Sequence, residues 1–108
     1  PPYKASGMAY ISFAREEKEL FKLLFMRDRT NEVITENREE IKPLIELIMQ
    51  NTGADEERAY IFHLEMWVYV HGIAAMAATS YLKLDEELIS RILTDAYKGL
   101  EAALKGEI

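Results

Sequence analysis

The sequence predicts an all-α fold, a helical bundle whose last two long helices form a dimer interface, and three observations carry it. Apolar residues recur at intervals of three and four through most of the 108 residues. Gly and Pro, at 5 and 3, are too few for a loop-rich β fold. The run Asp-Glu-Glu, a helix-start signal, occurs at residues 55–57 and again at 85–87, ahead of long apolar-periodic stretches.

The elements follow in order. Pro1 and Pro2 suit a helix start, where a missing N–H costs nothing, and Met8, Tyr10, Ile11, Phe13 and Ala14 give that helix an apolar face. A second apolar set, Leu20, Phe21, Leu23, Leu24 and Phe25, resumes after the polar residues 15–19, with a bend expected between. Residues 27–31 are charged and turn-prone and read as a loop or a frayed helix end. The next helix carries Ile41, Leu44, Ile45, Leu47, Ile48 and Met49. It ends at Asn51-Thr52-Gly53, where Gly53 suits a left-handed cap. Pro43 either kinks this helix or marks where its regular part begins. Asp55 caps a helix expected to reach about Ser80, and Asp85 caps the last one. The last helix gathers Leu88, Ile89, Ile92, Leu93, Ala96, Tyr97, Leu100 and Leu104 on one broad face, with Arg91, Asp95, Lys98 and Glu101 opposite.

The stretch 59–82 is apolar almost all the way round. A helix that needs burial on two sides, in a chain too short to wrap it, implies a partner surface on another molecule. The small residues Gly72, Ala74, Ala75, Ala77 and Ala78 would form a groove there. Val70 on the same helix and Ile89, Leu93, Tyr97 and Leu100 on the last would supply the ridges of a two-fold homodimer.

Composition bounds the function. Residues 1–108 are enough for one domain and one core, with 49% hydrophobic and 30% charged residues, ordinary globular usage. Nineteen acidic against 13 basic side chains give a net charge of −6, which repels a phosphate backbone and argues against direct DNA binding by these residues. The absence of cysteine excludes disulfides and thiolate metal sites and fits a reducing compartment. No signal-peptide pattern is visible, so the expected location is cytoplasmic. The apolar run is long enough to suggest a membrane span, but His63, Glu65 and His71 interrupt it, and no membrane association is expected.

No set of residues reads as catalytic: no nucleophile stands beside a base at useful spacing, and the glutamate pairs lie at helix starts or on polar surfaces. His63 and His71 flank Trp67 on one helix face. Two turns apart, roughly 12 Å, they cannot share one metal ion, so neither a metal nor a cofactor is expected. His71 reads as an interior histidine with a hydrogen-bond partner, while His63 is the more open of the two to a ligand. Tyr10, Phe13, Phe25, Met49, His63, Met66 and Trp67 are the candidate lining of a pocket for a small apolar or amphipathic molecule. The competing view of the aromatic and methionine residues is a filled core, in a purely structural dimerisation module without a ligand.

The pattern Gly7-x-Ala9-Tyr10-Ile11-x-Phe13-Ala14, then Leu20-Phe21-x-Leu23-Leu24-Phe25, Thr52-Gly53, and Trp67-x-x-x-His71-Gly72-Ile73-Ala74 resembles the C-terminal ligand-sensing domain of TetR/AcrR-type transcriptional regulators. It is similar to the subgroup named for its Trp-His-Gly motif. The family often has His-Pro between the first two apolar sets, where this chain has Glu17-Lys18, which bears on the bend there. The resemblance implies one ligand-sensing and dimerisation domain, acting as a homodimer through its last two helices. It also implies a small-molecule effector, and operator DNA bound only through an N-terminal helix-turn-helix that these residues lack.

Overall fold

A computed structural model describes residues 2–26 and 38–106. They form five helices and no strand: α1 (Pro2–Glu16), α2 (Lys18–Phe25), α3 (Arg38–Thr52), α4 (Glu56–Ala78) and α5 (Glu86–Leu104). The expected bend falls at Glu17, whose φ of −120° and ψ of 60° leave the helical region. The hydrogen-bond ladder survives on both sides, because the Glu17 N–H donates to the Phe13 carbonyl and the Phe21 N–H donates to that of Glu17. The turn is thus made without proline.

Local chemistry sets the other boundaries. Asp55 and Asp85 each stand in extended conformation, and their carboxylates accept from the N–H groups of Arg58 at 2.9 Å and Leu88 at 2.7 Å. Gly53 closes α3 with φ +76° and donates to the Met49 carbonyl, while the Thr52 hydroxyl donates to Ile48 O. Pro43 lies inside α3, which begins at Arg38, so the regular helix does not wait for the proline. Helix α4 ends at Ala78, two residues before the expected Ser80. Thr79 caps it, its hydroxyl donating to Ala75 O, and Ser80 has already turned to φ 60°. The expected turn at 27–31 lies outside the described residues.

Helix α4 packs against all four of the others. By length and composition it could cross a membrane, yet here it is the axis of the bundle. One core cluster joins Ile11, Ala14 and Phe21 to Val70, Ala74, Ile89 and Leu93. A second joins Ile45 and Ile48 to Ala59, Phe62, Met66 and Leu104. Helix α1 runs alongside α4 in the same direction, as its pairings with α4 at Tyr3 and Tyr10 show. Gly7 lies between these tyrosines, where a Cβ would stand 3.4 Å from a Val70 methyl, so the close approach of the two helices is made there.

The packing also places the residues expected at a dimer face. Val70, Ala74, Ala78, Ile89 and Leu93 are buried within one chain, Ala77 is half-buried, and Tyr97 and Leu100 pack on the second core. Of the expected groove, Ala74 and Ala78 are covered by the chain's own helices, while the space beside Gly72 is open. Side chains already removed from water add no area to an interface. The large apolar residues that α4 and α5 leave exposed are others: Ile61, Leu64, Trp67, Val68, Tyr69, Met76 and Leu88.

Candidate functional site

Tyr10 of α1 is the hub of an aromatic cluster. Its ring lies 5.1 Å from Trp67, 5.3 Å from Phe25 and 5.5 Å from Phe21, each edge to face, the arrangement that ring quadrupoles favour. Phe13 joins through Phe21 at 6.4 Å. His71, one turn beyond Trp67 on α4, has its ring 5.5 Å from the indole and 5.9 Å from Phe21. The Tyr10 hydroxyl and His71 Nδ1 are hydrogen-bonded at 2.9 Å. Hydroxyl and ring nitrogen can each donate or accept, and the imidazole tautomer sets the direction of the bond. Burial pushes the Tyr10 hydroxyl up to about 12.

The cluster is open on one side. Phe21 is fully buried, whereas Trp67 is 41% and Phe25 37% exposed, with Leu24 and Leu64 exposed as well. Contiguous exposed apolar side chains mark candidate binding surfaces. The local reason for their placement is plain: α2 has only eight residues, Phe21 is its buried anchor, and Phe25 follows one turn later at the helix end.

Four of the seven candidate pocket residues, Tyr10, Phe13, Phe25 and Trp67, therefore meet. The other three do not join them. Met66 is buried in the second core, and Met49 packs on that core while lining a shallow cleft of about 250 Å³ with Ile41, Ile45 and Tyr60. His63 pairs instead with Tyr3, Nδ1 to hydroxyl at 3.3 Å, beside Phe62 and Tyr97. Burial, and then repulsion from Tyr97, pushes the Tyr3 hydroxyl up to about 12. Phe21 and His71 belong to the same cluster, although neither is among the seven. The spacing of one turn between Trp67 and His71 is the sequence signal that puts the histidine beside the indole.

Among the described residues no group of three or more His, Asp or Glu could hold a metal ion. A second surface is the outer side of the α4–α5 hairpin. Ile61 and Glu65 of α4 share a small cleft with Leu100 and Ala103 of α5, which fixes how the two helices lie side by side. Val68, 62% exposed, and Met76 continue that strip along α4.

Residues 3–97 match a family model described as tetracyclin repressor-like, C-terminal domain. No curated protein and no solved structure matches the chain.

Proposed function

The chain belongs to the tetracyclin repressor-like C-terminal domain family, and from that membership we propose that it is the effector-binding and homodimerisation domain of a transcriptional regulator. The effector is a small apolar or amphipathic molecule. It enters at the open side of the aromatic cluster, between α2 and α4, stacking on Trp67 and Phe25. The single observation that supports this site is the half-exposed ring set held around the Tyr10–His71 hydrogen bond.

The mechanism follows from the packing. A ligand that spreads Phe25 from Trp67 loads Tyr10, and Tyr10 carries the strain to α1 and, through His71, to α4. Both helices bear on the core that also holds Ile89 and Leu93 of α5. The exposed strip of α4 and α5 is the surface on which a second copy would dock, so movement at the cluster alters the angle between subunits. The operator-binding helix-turn-helix domains, which are not among these residues, would be spread or drawn together. The shift can be no larger than the difference in effector affinity between the two arrangements.

Trp67 is the chain's single tryptophan, so its fluorescence reports on the site directly. Titration with a panel of apolar and amphipathic molecules is expected to yield at least one that quenches or shifts Trp67 emission and raises the melting temperature together. A panel in which no compound moves either signal would sink the sensor reading. It would favour the alternative of a structural dimerisation module. That alternative has its own observation: the rings lie within 5.1–5.5 Å of Tyr10 and already fill the space between them.

A further inference from the structure

His71 uses one of its two ring nitrogens inside the protein. Nδ1 is hydrogen-bonded to the Tyr10 hydroxyl at 2.9 Å, and among the described residues Nε2 has no partner. The ring is half-buried, yet no buried side-chain nitrogen of the described residues lacks a hydrogen bond, so Nε2 meets solvent. It does so one turn beyond Trp67, whose ring lies 5.5 Å away and is itself exposed. The indole Nε1–H, which can only donate, is likewise without an acceptor among the described residues.

The direction of the Tyr10–His71 bond decides what Nε2 offers. A phenol has one proton to donate. Were Nδ1 the donor, that proton would need a second acceptor, and among the described residues the Tyr10 hydroxyl has no partner besides His71. The rings packed on it, Phe21, Phe25 and Trp67, carry no acceptor oxygen or nitrogen. With the phenol as donor, Nδ1 accepts and the neutral imidazole holds its proton on Nε2. The fold then leaves that N–H unused, beside the open face of the cluster.

We propose that His71 reads the polar group of the effector, its Nε2–H donating to a carbonyl oxygen on a molecule whose apolar body lies on Trp67 and Phe25. This assignment rests on the placement of the effector at the open side of the cluster. Tyr10 acts through His71 by fixing the tautomer, and is a positioning residue. A neutral acceptor suits the site better than a carboxylate, because a net charge of −6 opposes an anion. The effector class narrows accordingly, from apolar and amphipathic molecules at large to ketones, esters and amides with an apolar body. Donation from Nε2 also polarises the ring and makes Nδ1 a better acceptor, so a bound carbonyl tightens the bond that ties α1 to α4.

The test uses acetophenone and ethylbenzene, which share a ring and nearly a shape and differ by the carbonyl oxygen. Each is titrated at pH 8 into the whole chain labelled with nitrogen-15, while NMR follows the Trp67 indole N–H and the His71 ring nitrogens. Acetophenone is expected to bind about tenfold tighter than ethylbenzene, and His71 to carry its proton on Nε2 in the free chain. His71→Phe keeps a ring and removes the donor, so the preference should shrink to about twofold or less. Tyr10→Phe, which deletes only a hydroxyl, should turn His71 into a mixture of tautomers and narrow the preference, and it decides the matter should His71→Phe lose its helical circular dichroism. Equal binding of the two compounds, a proton on Nδ1 or on both nitrogens, or a preference that survives both substitutions overturns the proposal and leaves the sensor reading standing. If neither compound moves the Trp67 signal, the proposal falls together with the placement of the effector at the open cluster.

Discussion

Two tyrosine–histidine pairs tie α1 to α4, and they differ in what surrounds them. Tyr3 and His63 sit beside Phe62 and Tyr97, with α5 over them. Tyr10 and His71 sit among Phe21, Phe25 and Trp67, two of whose rings reach solvent. The bond type is the same at both ends of the helix pair, so the hydrogen bond by itself does not distinguish a site from a structural clasp. The difference lies in the third layer. At the Tyr3 end it is the long helix α5. At the Tyr10 end it is α2, eight residues held by one buried side chain.

The largest expected effect separates these layers. Phe21→Ala and Phe62→Ala each delete a fully buried ring and should each cost about 3–5 kcal/mol in urea unfolding. They should differ in the native state. Loss of Phe21 removes the anchor of α2 and strips Tyr10 and Phe25 of a neighbour, so Trp67 emission should move to the red. Phe62 touches Tyr3 and Tyr97 instead, and Phe62→Ala should leave that emission in place. An equal shift in both variants would mean that the two ends are one packing unit, and the contrast would be gone.

The same contrast explains what could be read in advance. Asp55, Asp85 and Gly53 were legible because a cap is settled within four residues, by whether a carboxylate can reach an N–H or a backbone can take positive φ. The bend near Glu17 was legible from the polar interruption alone. The facing of α4 was not. A helix apolar on nearly every side has no angular signal of its own, and its direction is set by where the others dock. Gly7 and Phe21 bring α1 and α2 onto the side bearing Val70 and Ala74, which turns Ile61, Val68 and Met76 outward. Met49 failed to join Tyr10 for a related reason: α3 packs on the second core, around Ala59 and Phe62, away from the cluster.

A smaller effect sharpens the comparison at single atoms. Tyr10→Phe and Tyr3→Phe each remove a hydroxyl and leave the ring, and each should cost roughly 1 kcal/mol. The Tyr10 loss should be the greater, since its bond is 2.9 Å against 3.3 Å. Tyr10→Phe should also weaken any compound found to move Trp67 emission, while Tyr3→Phe should not. If Tyr3→Phe weakened that compound equally, the effector would be bound at the closed end, and the assignment of the open cluster would fall.

The smallest effect is a titration. A buried phenol resists ionising, and Tyr3 and Tyr10 both lie near 12 when the ordinary value is 10.0. Between those values the folded chain still holds protons that the unfolded chain has released. The stability tied to these hydroxyls is therefore complete below pH 10 and drains away as pH rises toward 12. Their causes separate the two ends once more. Tyr10 is raised by burial, whereas Tyr3 is raised by burial and then by the charge that Tyr97 acquires when it ionises. In a phenolate absorbance titration Tyr97→Phe should bring Tyr3 down and leave Tyr10 where it is. If both tyrosines moved, the two pairs would be coupled along α1, and the Tyr3 end would have to be counted as part of the site.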